Sequence, residues 1–443
     1  MSLPIACAFA TCARTARADA TPPEVVVVDP DKRADPSEYR GRENYADAGD
    51  VAVWIPRVVF FPVYLLTNYV LRVPLDAFAG WIDRHHVVPI IQDILDPTPD
   101  IHWNPAIALD FGAFIALGAE GRLRNVFVRD HEISGGALSS GTDGYRFWLR
   151  DSWKAGPMRF GAYGGGAYYQ NRNFYGFGPY SVDNSIASYR TYYSDTAFDA
   201  FAFQSFEHRQ HVAVELSEGF RSDLTGPGWS PSLETVFDPA KVPGFGAQMD
   251  LLMTKLDVSL DTRRDVRVPS GGARFEGNVT FAHDVADSER TFVTTAVDAT
   301  VGAEISRPDR VLSLRGYFAD SFALGSEPVP FDYQPMLGFD HHYGFIWGRF
   351  RDEAAVMAEL RYHHPVAYFL DMEWIASVGN VFKHDLSDFR FDALTSSFSI
   401  GLRTRRLNFP LPIELLVGFG TSRFDEPFAI DAVRVYLSTT ETL

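Results

Sequence analysis

Beyond residue 12 the 443-residue chain contains no cysteine; its only two, Cys7 and Cys12, fall within the first 20 residues. Disulfides therefore have no part in holding the body of the chain. A basic surplus is lacking too: 57 acidic residues against 40 lysines and arginines leave a net charge of −17. That excludes the basic face a nucleic-acid partner needs. Long apolar runs are scarce. A helical membrane protein shows several of about 18 residues or more. The single stretch that comes near, Val51 to Leu75, is broken by Pro56, Arg57, Pro62, Arg72 and Pro74, and it is rejected as a span. There is no G-x-S-x-G elbow, no P-loop and no G-x-G-x-x-G in a βαβ setting. No catalytic, cofactor-binding or metal-ligating set is expected, and the chain is not read as an enzyme.

What is present is aromatic surface, 14% of residues, in a chain that is 46% hydrophobic and 22% charged. A transmembrane β-barrel hides its membrane signal in such a mixture, because only alternate strand residues face lipid. Leu3 to Ala13 is mostly apolar, and Ala18-Asp19-Ala20 forms an A-x-A site, so residues 1–20 read as a signal peptide with a truncated or misassigned start. Residues 21–50 are polar and read as a flexible linker. Residues 51–100 carry Trp54, Phe60, Phe61, Trp81, Ile90, Ile91 and Ile94. They predict short amphipathic helices ahead of the barrel, on the membrane surface or at its mouth.

From about residue 101 the hydrophobic period becomes two. In 293–305, Val293, Val297, Val301 and Ile305 alternate with Thr294, Asp298 and Glu304. The same alternation runs through 252–262, 356–363, 394–403 and 433–437. Several of these strands reach ten residues, as a tilted membrane crossing requires. Short connections at Arg307-Pro308-Asp309, His363-His364-Pro365 and Leu407 to Pro410 alternate with long ones near 222–248, 322–352, 383–388 and 424–430. The fold class predicted is all-β, a 16-stranded antiparallel transmembrane barrel over 101–443. The histidine pairs His85-His86, His341-His342 and His363-His364 read as turn and loop residues. Asp257, Asp298, Glu304, Asp371 and Glu373 read as structural carboxylates of a polar lumen.

Several motifs resemble the BamA/TamA superfamily, or bacterial surface antigen family. Asp261-Thr262-Arg263, with Pro269 and Gly271, resembles its D-T-R-D-N…P-x-x-G turn. Arg172 to Gly178 resembles its R-F-Y-G-x-G segment. Gly348-Arg349-Phe350-Arg351-Asp352, then Ala358 to Tyr362, resembles the run that enters the family's twelfth strand from its sixth loop. Gly379 to Phe382 and Ser399 to Arg403 match the two strands that follow. The resemblance covers about residues 100–443.

It implies an outer-membrane barrel acting in protein or lipid assembly and translocation; a structural or pore-forming barrel without insertase activity is the alternative. Implied partners are the outer-membrane bilayer, other outer-membrane or periplasmic proteins, or a second copy of the chain. Residues 21–100 show no βααββ pattern, so the resemblance is to the POTRA-less, noNterm-type subgroup. The family's loop tip, R-G-F/Y, falls on Tyr343-Gly344-Phe345, and its aspartate partner on Ser377, so both halves of that ion pair are absent together. The expectation is a loop still tucked inside, with a Tyr343–Ser377 hydrogen bond and with Glu359, Arg349 and Arg351 nearby. Leu314-Arg315-Gly316-Tyr317 carries the motif's letters mid-strand and is read as a decoy.

Overall fold

Alternation of apolar and polar residues gives each strand one face for a non-aqueous surrounding and one for a polar interior. In the computed structural model this pattern yields eighteen strands among the described residues. The structure describes residues 93–443 except 111–113, 182–185, 206–210, 264–269, 306–309, 340, 368–369, 405–412 and 439–443, together with positions 73, 77, 80, 81, 84, 85 and 90. The chain divides into two units, Met1–Val63 and Tyr64–Leu443, and every described residue belongs to the second. The expected signal peptide, the linker and most of the pre-barrel segment lie outside the described residues. Among the described residues, no helix is long and apolar enough to cross a membrane.

Sixteen strands pair in a ring, each antiparallel to its neighbours. Its first half holds β1 (Ile101–Asp110), β2 (Phe114–Arg124), β3 (His131–Ser139), β4 (Gly144–Ala155), β5 (Met158–Phe174), β6 (Ala187–Ser205), β7 (His211–Pro227) and β8 (Gln248–Asp261). Its second half holds β9 (Gly272–Asp284), β10 (Thr291–Glu304), β11 (Val311–Ala323), β14 (Ala354–Ala367), β15 (Leu370–Phe382), β16 (Thr395–Thr404), β17 (Glu414–Arg423) and β18 (Ile430–Ser438). The other two, β12 (Met336–Leu337) and β13 (Phe350–Arg351), form a small ribbon within one connection.

Connections differ between the two ends of the ring. At one end, the loop end, they include 175–186, 228–247, 324–353 and 383–394; at the other, the turn end, β4 and β5 are separated by two residues. Residues 363–365, expected as a turn, lie inside β14. Pro365 still pairs with Asp371, and the register irregularity it causes falls between Pro365 and Ala367. A proline without an N–H is accommodated at such an irregularity near a strand end, so the strand continues past it.

The outward face is apolar. Val301 is 61% exposed, Leu314 60%, Leu360 48% and Leu149 59%, and their sequence neighbours Thr300, Arg315, Arg361 and Arg150 turn inward. A continuous belt of this kind far exceeds the few hundred Å² of apolar patch that a monomer presents to water, and it matches the lipid face of a barrel.

The ring is weakest where its ends meet. β1 pairs with β2 over ten residues and β18 with β17 over eight. β1 and β18 share three pairs, Ala108↔Ser438, Leu109↔Leu437 and Asp110↔Tyr436. Pro105 sits in the part of β1 that β18 does not pair, where a residue lacking an N–H costs the sheet least.

A positive charge on the outward face should be costly only if that face meets lipid. Val297→Arg, at the middle of β10, is expected to lose about 2–4 kcal/mol of stability, measured by guanidinium unfolding of protein folded into vesicles. An unchanged midpoint would contradict a lipid-facing belt.

Candidate functional site: the loop inside the barrel

The connection 324–353 is the longest in the ring. Its base is the ribbon, with Met336 opposite Arg351 and Leu337 opposite Phe350. Between these strands the chain makes a compact tip. Phe339 N–H donates to Phe345 O at 2.9 Å, Phe345 N–H to His342 O at 2.9 Å, and His342 N–H to Phe339 O at 3.2 Å. The tip packs against the inner faces of β14 to β18.

Backbone meets backbone at the contact. A Cβ on Gly344 would lie 2.5 Å from Gly420 N, and one on Gly418 would lie 2.3 Å from Tyr343 O. Glycine is required on both surfaces because no side chain fits between them. The Phe345 ring then covers Gly420, whose Cβ would fall 2.6 Å from it. Tyr436 of β18 donates its hydroxyl to Phe345 O at 2.9 Å. The tip therefore holds a strand that borders the three-pair seam.

His342 is the deepest polar residue of the tip, with no exposed surface. Its Nδ1 lies 2.8 Å from Ser377 Oγ and its Nε2 3.0 Å from Thr395 Oγ1. Thr395 donates its one hydroxyl proton to Gly379 O at 3.0 Å, so it must accept from Nε2–H. Nδ1 then accepts from Ser377, which in turn accepts from Ser397 at 2.9 Å. Neutral imidazole satisfies this chain with one donor and one acceptor. Burial alone pushes the ring's pKa down to about 3.

The expected Tyr343–Ser377 bond is thus not formed. Ser377 serves His342, and Tyr343 accepts from Arg361 Nη2 at 2.9 Å. The reason is geometric: Ser377 pairs across from Glu359 on β14, and the residue that reaches that row is the one before Tyr343. Burial, reinforced by the carboxylates of Glu359, Glu414 and Glu373 and opposed by Arg361, raises the Tyr343 hydroxyl above its ordinary range, so Tyr343 stays neutral. Glu359 accepts from Arg361 Nε at 2.9 Å, and Arg361 Nη1 reaches Glu373 at 3.3 Å.

The other motif residues anchor the same loop on the far wall. Arg349 donates to Ser181 Oγ at 2.9 Å and to Ser181 O at 2.8 Å. Arg351, 1% exposed, reaches Tyr189 OH on β6 at 3.1 Å and Asp332 at 3.5 Å. Tyr189 donates to Asp332 at 2.7 Å. Burial would raise the Asp332 carboxyl, but Arg172 and Arg351 beside it, with Tyr189 and Arg221, hold it below the usual range. Gly178 N–H donates to Arg351 O at 3.0 Å, and Arg172 stacks 4.6 Å over Trp347. The segments 172–178 and 348–352, read as separate motifs, meet in space.

The described residues of the turn motif lie at the opposite end of the barrel from the loop. Arg263 donates its N–H to Asp261 Oδ1 at 3.0 Å and its Nε to the same carboxylate. Gly271 N–H reaches Glu304 at 3.4 Å. The backbone constraint falls one residue later, on Gly272 with φ of 134°; Pro269 lies outside the described residues. Arg315 pairs inward with Asp298 at 3.0 Å, part of the wall and not of the tip.

Of the lumen carboxylates, Asp257 pairs with Lys255 at 2.9 Å. Among the described residues one group, Asp320, His384 and Asp385, brings ligand atoms close enough to hold a metal ion. Its imidazole Nδ1 lies 2.8 Å from Asp320 and its Nε2 3.3 Å from Asp385. His363 and His364, expected in a turn, belong to β14; His363 lies 3.3 Å from Glu373.

These features define the class: a transmembrane-type β-barrel whose lumen is occupied by its own long loop. Several solved outer-membrane barrels share the fold. BamA from Haemophilus ducreyi lacking POTRA domains 1–3 aligns with a TM-score of 0.58 at 12% identity, over 77% of this chain and 70% of that one. CdiB from Acinetobacter baumannii gives 0.51 at 10% identity, and CdiB from Escherichia coli 0.50 at 13%, each over 77% of this chain. The chain spans 60% and 62% of those two CdiB chains. No family profile matches the sequence, and neither does any curated protein. The likeness is therefore one of fold.

The folded His342 pKa lies below its unfolded value, so its contribution is complete above pH 6.5 and declines as pH falls toward 3. Wild-type barrel should lose up to about 1.4 kcal/mol of stability per pH unit below 6.5 from this group. His342→Gln keeps hydrogen-bonding capacity without titrating, and urea unfolding between pH 7.5 and 5 should show a shallower slope. Identical slopes would show that His342 is not held neutral.

Proposed function

We propose that the protein is a bacterial outer-membrane barrel that assists the insertion or translocation of other outer-membrane proteins, or of lipids, by parting the β1–β18 seam. The observation that carries this reading is the seam, closed by three residue pairs where neighbouring interfaces have eight to ten. Fewer cross-strand bonds lower the cost of local opening, since each contributes about 0.5–1.5 kcal/mol net. In lipid an opened edge must find another partner, and an incoming strand supplies one. The fold shared with BamA and CdiB supports the same assignment, as does the apolar belt. The absence of an Arg–Asp pair at Tyr343 and Ser377 leaves the tip to reach the wall with uncharged side chains of its own, His342 and Tyr343. A POTRA-less, noNterm-type placement fits residues 21–100, whose sequence shows no βααββ pattern. Such a barrel would draw on a separate periplasmic protein to deliver clients. The alternative, an open pore, sits less easily with a lumen filled by 324–353.

A cysteine pair at Leu109 and Leu437 would close the seam covalently. Vesicles holding Leu109→Cys/Leu437→Cys protein should speed insertion of a client barrel when reduced and lose that acceleration when oxidised. Equal rates in both states would eliminate seam opening. No acceleration over an unrelated barrel, together with steady bilayer conductance, would favour the pore.

A further inference from the structure

The connection between β2 and β3 exposes its apolar residues: Val126 by 39%, Phe127 by 80% and Val128 by 62%. Turns are ordinarily built from polar residues, glycine and proline. This one is firmly constructed around its apolar tip. Asn125 N–H donates to His131 O at 2.6 Å, and His131 N–H to Val128 O at 3.2 Å. The Asn125 side chain accepts from Asp130 N–H at 2.9 Å and donates to Asp100 at 2.7 Å. Asn125 and Asp130 both take left-handed conformations, φ 54° and 64°, which these two residue types tolerate best.

The direction of the tip follows from its neighbours. Phe127 lies 5.2 Å from the His131 ring. His131 pairs with Trp153 across the sheet, and Trp153 stacks on Phe160 at 6.2 Å. Trp153 is 39% exposed and shares the outward face of β4 with Leu149. An aromatic row thus crosses the outer surface at the turn end and terminates in Phe127, continuous with the apolar belt. Arg129, exposed beside the tip, suits an anionic headgroup.

We propose that Val126, Phe127 and Val128 form a membrane anchor that inserts into the lipid interface at the turn end of the barrel, next to the start of β1. The occupant is the bilayer itself; anchoring β2 there fixes the strand against which β1 is paired while the other side of the seam remains free. The proposal rests on the membrane reading of the barrel and adds a site to it.

The test uses the full chain with Cys7 and Cys12 replaced by serine and a single nitroxide placed by Phe127→Cys. The protein is folded into vesicles of phosphatidylethanolamine and phosphatidylglycerol. Collision with oxygen, which concentrates in lipid, is compared with collision with a water-soluble nickel chelate. Val301→Cys serves as the belt control and Asp287→Cys as the aqueous one. The anchor predicts oxygen-dominated collision at 127, as at 301, and the same at Val128→Cys, which leaves the phenylalanine in place. Chelate-dominated collision at 127 and 128, with 301 protected, overturns the anchor and leaves the barrel reading intact. A chelate-accessible 301 overturns the membrane reading, and the anchor with it.

Discussion

The approach of Gly344 to Gly418 and Gly420 is the contact on which the interior of this barrel depends. Two stretches of backbone touch with no side chain between them, and that closeness sets the depth of the tip. At that depth His342 reaches β15 and β16, Tyr343 reaches Arg361 on β14, and Phe345 O meets Tyr436 on β18. Any side chain at Gly344 or Gly418 would lift the tip and break these bonds together. Each buried group so stranded costs about 1–3 kcal/mol, so the loss would be concerted.

The same loop ties the opposite side of the ring. Arg351 and Asp332 seat its base against Tyr189 on β6, where Phe331 packs with Phe174, Leu233 and Val242. The loop is thus a strut across the lumen: its own charged residues make the contacts at one end, and its uncharged His342 and Tyr343 make them at the other, Tyr343 on the Arg361 guanidinium. A buried ion pair punishes the loss of one partner severely. A chain of neutral hydroxyls around an imidazole carries a smaller penalty, and the end that carries it is the one that faces the seam. That division suits a barrel whose weak interface is meant to part while the rest holds.

Strand positions were legible in the residues because alternation is local: each strand reports its own two faces without reference to its neighbours. The letters of the loop motif were legible for the same reason; the contact of Gly344 with β17 was not among them. The partner of Ser377 was not legible either. It depends on how deeply a 30-residue loop descends and on which of two adjacent residues, His342 or Tyr343, meets the Ser377 row; neither quantity is encoded in spacing. Adjacent histidines at 341 and 342 looked like loop filler because nothing in the sequence distinguishes a histidine aimed at two hydroxyls from one in solvent. The run His363-His364-Pro365 resembled a turn because proline usually ends a strand, but a register irregularity absorbed it.

The seating of the tip is tested most directly by amide hydrogen exchange on the barrel folded in lipid. The amides of His342 and Phe345 should exchange as slowly as those of β15 and β16, since they are buried against that wall. Exchange of these amides at the rate of an exposed loop, with the wall still protected, would contradict the account.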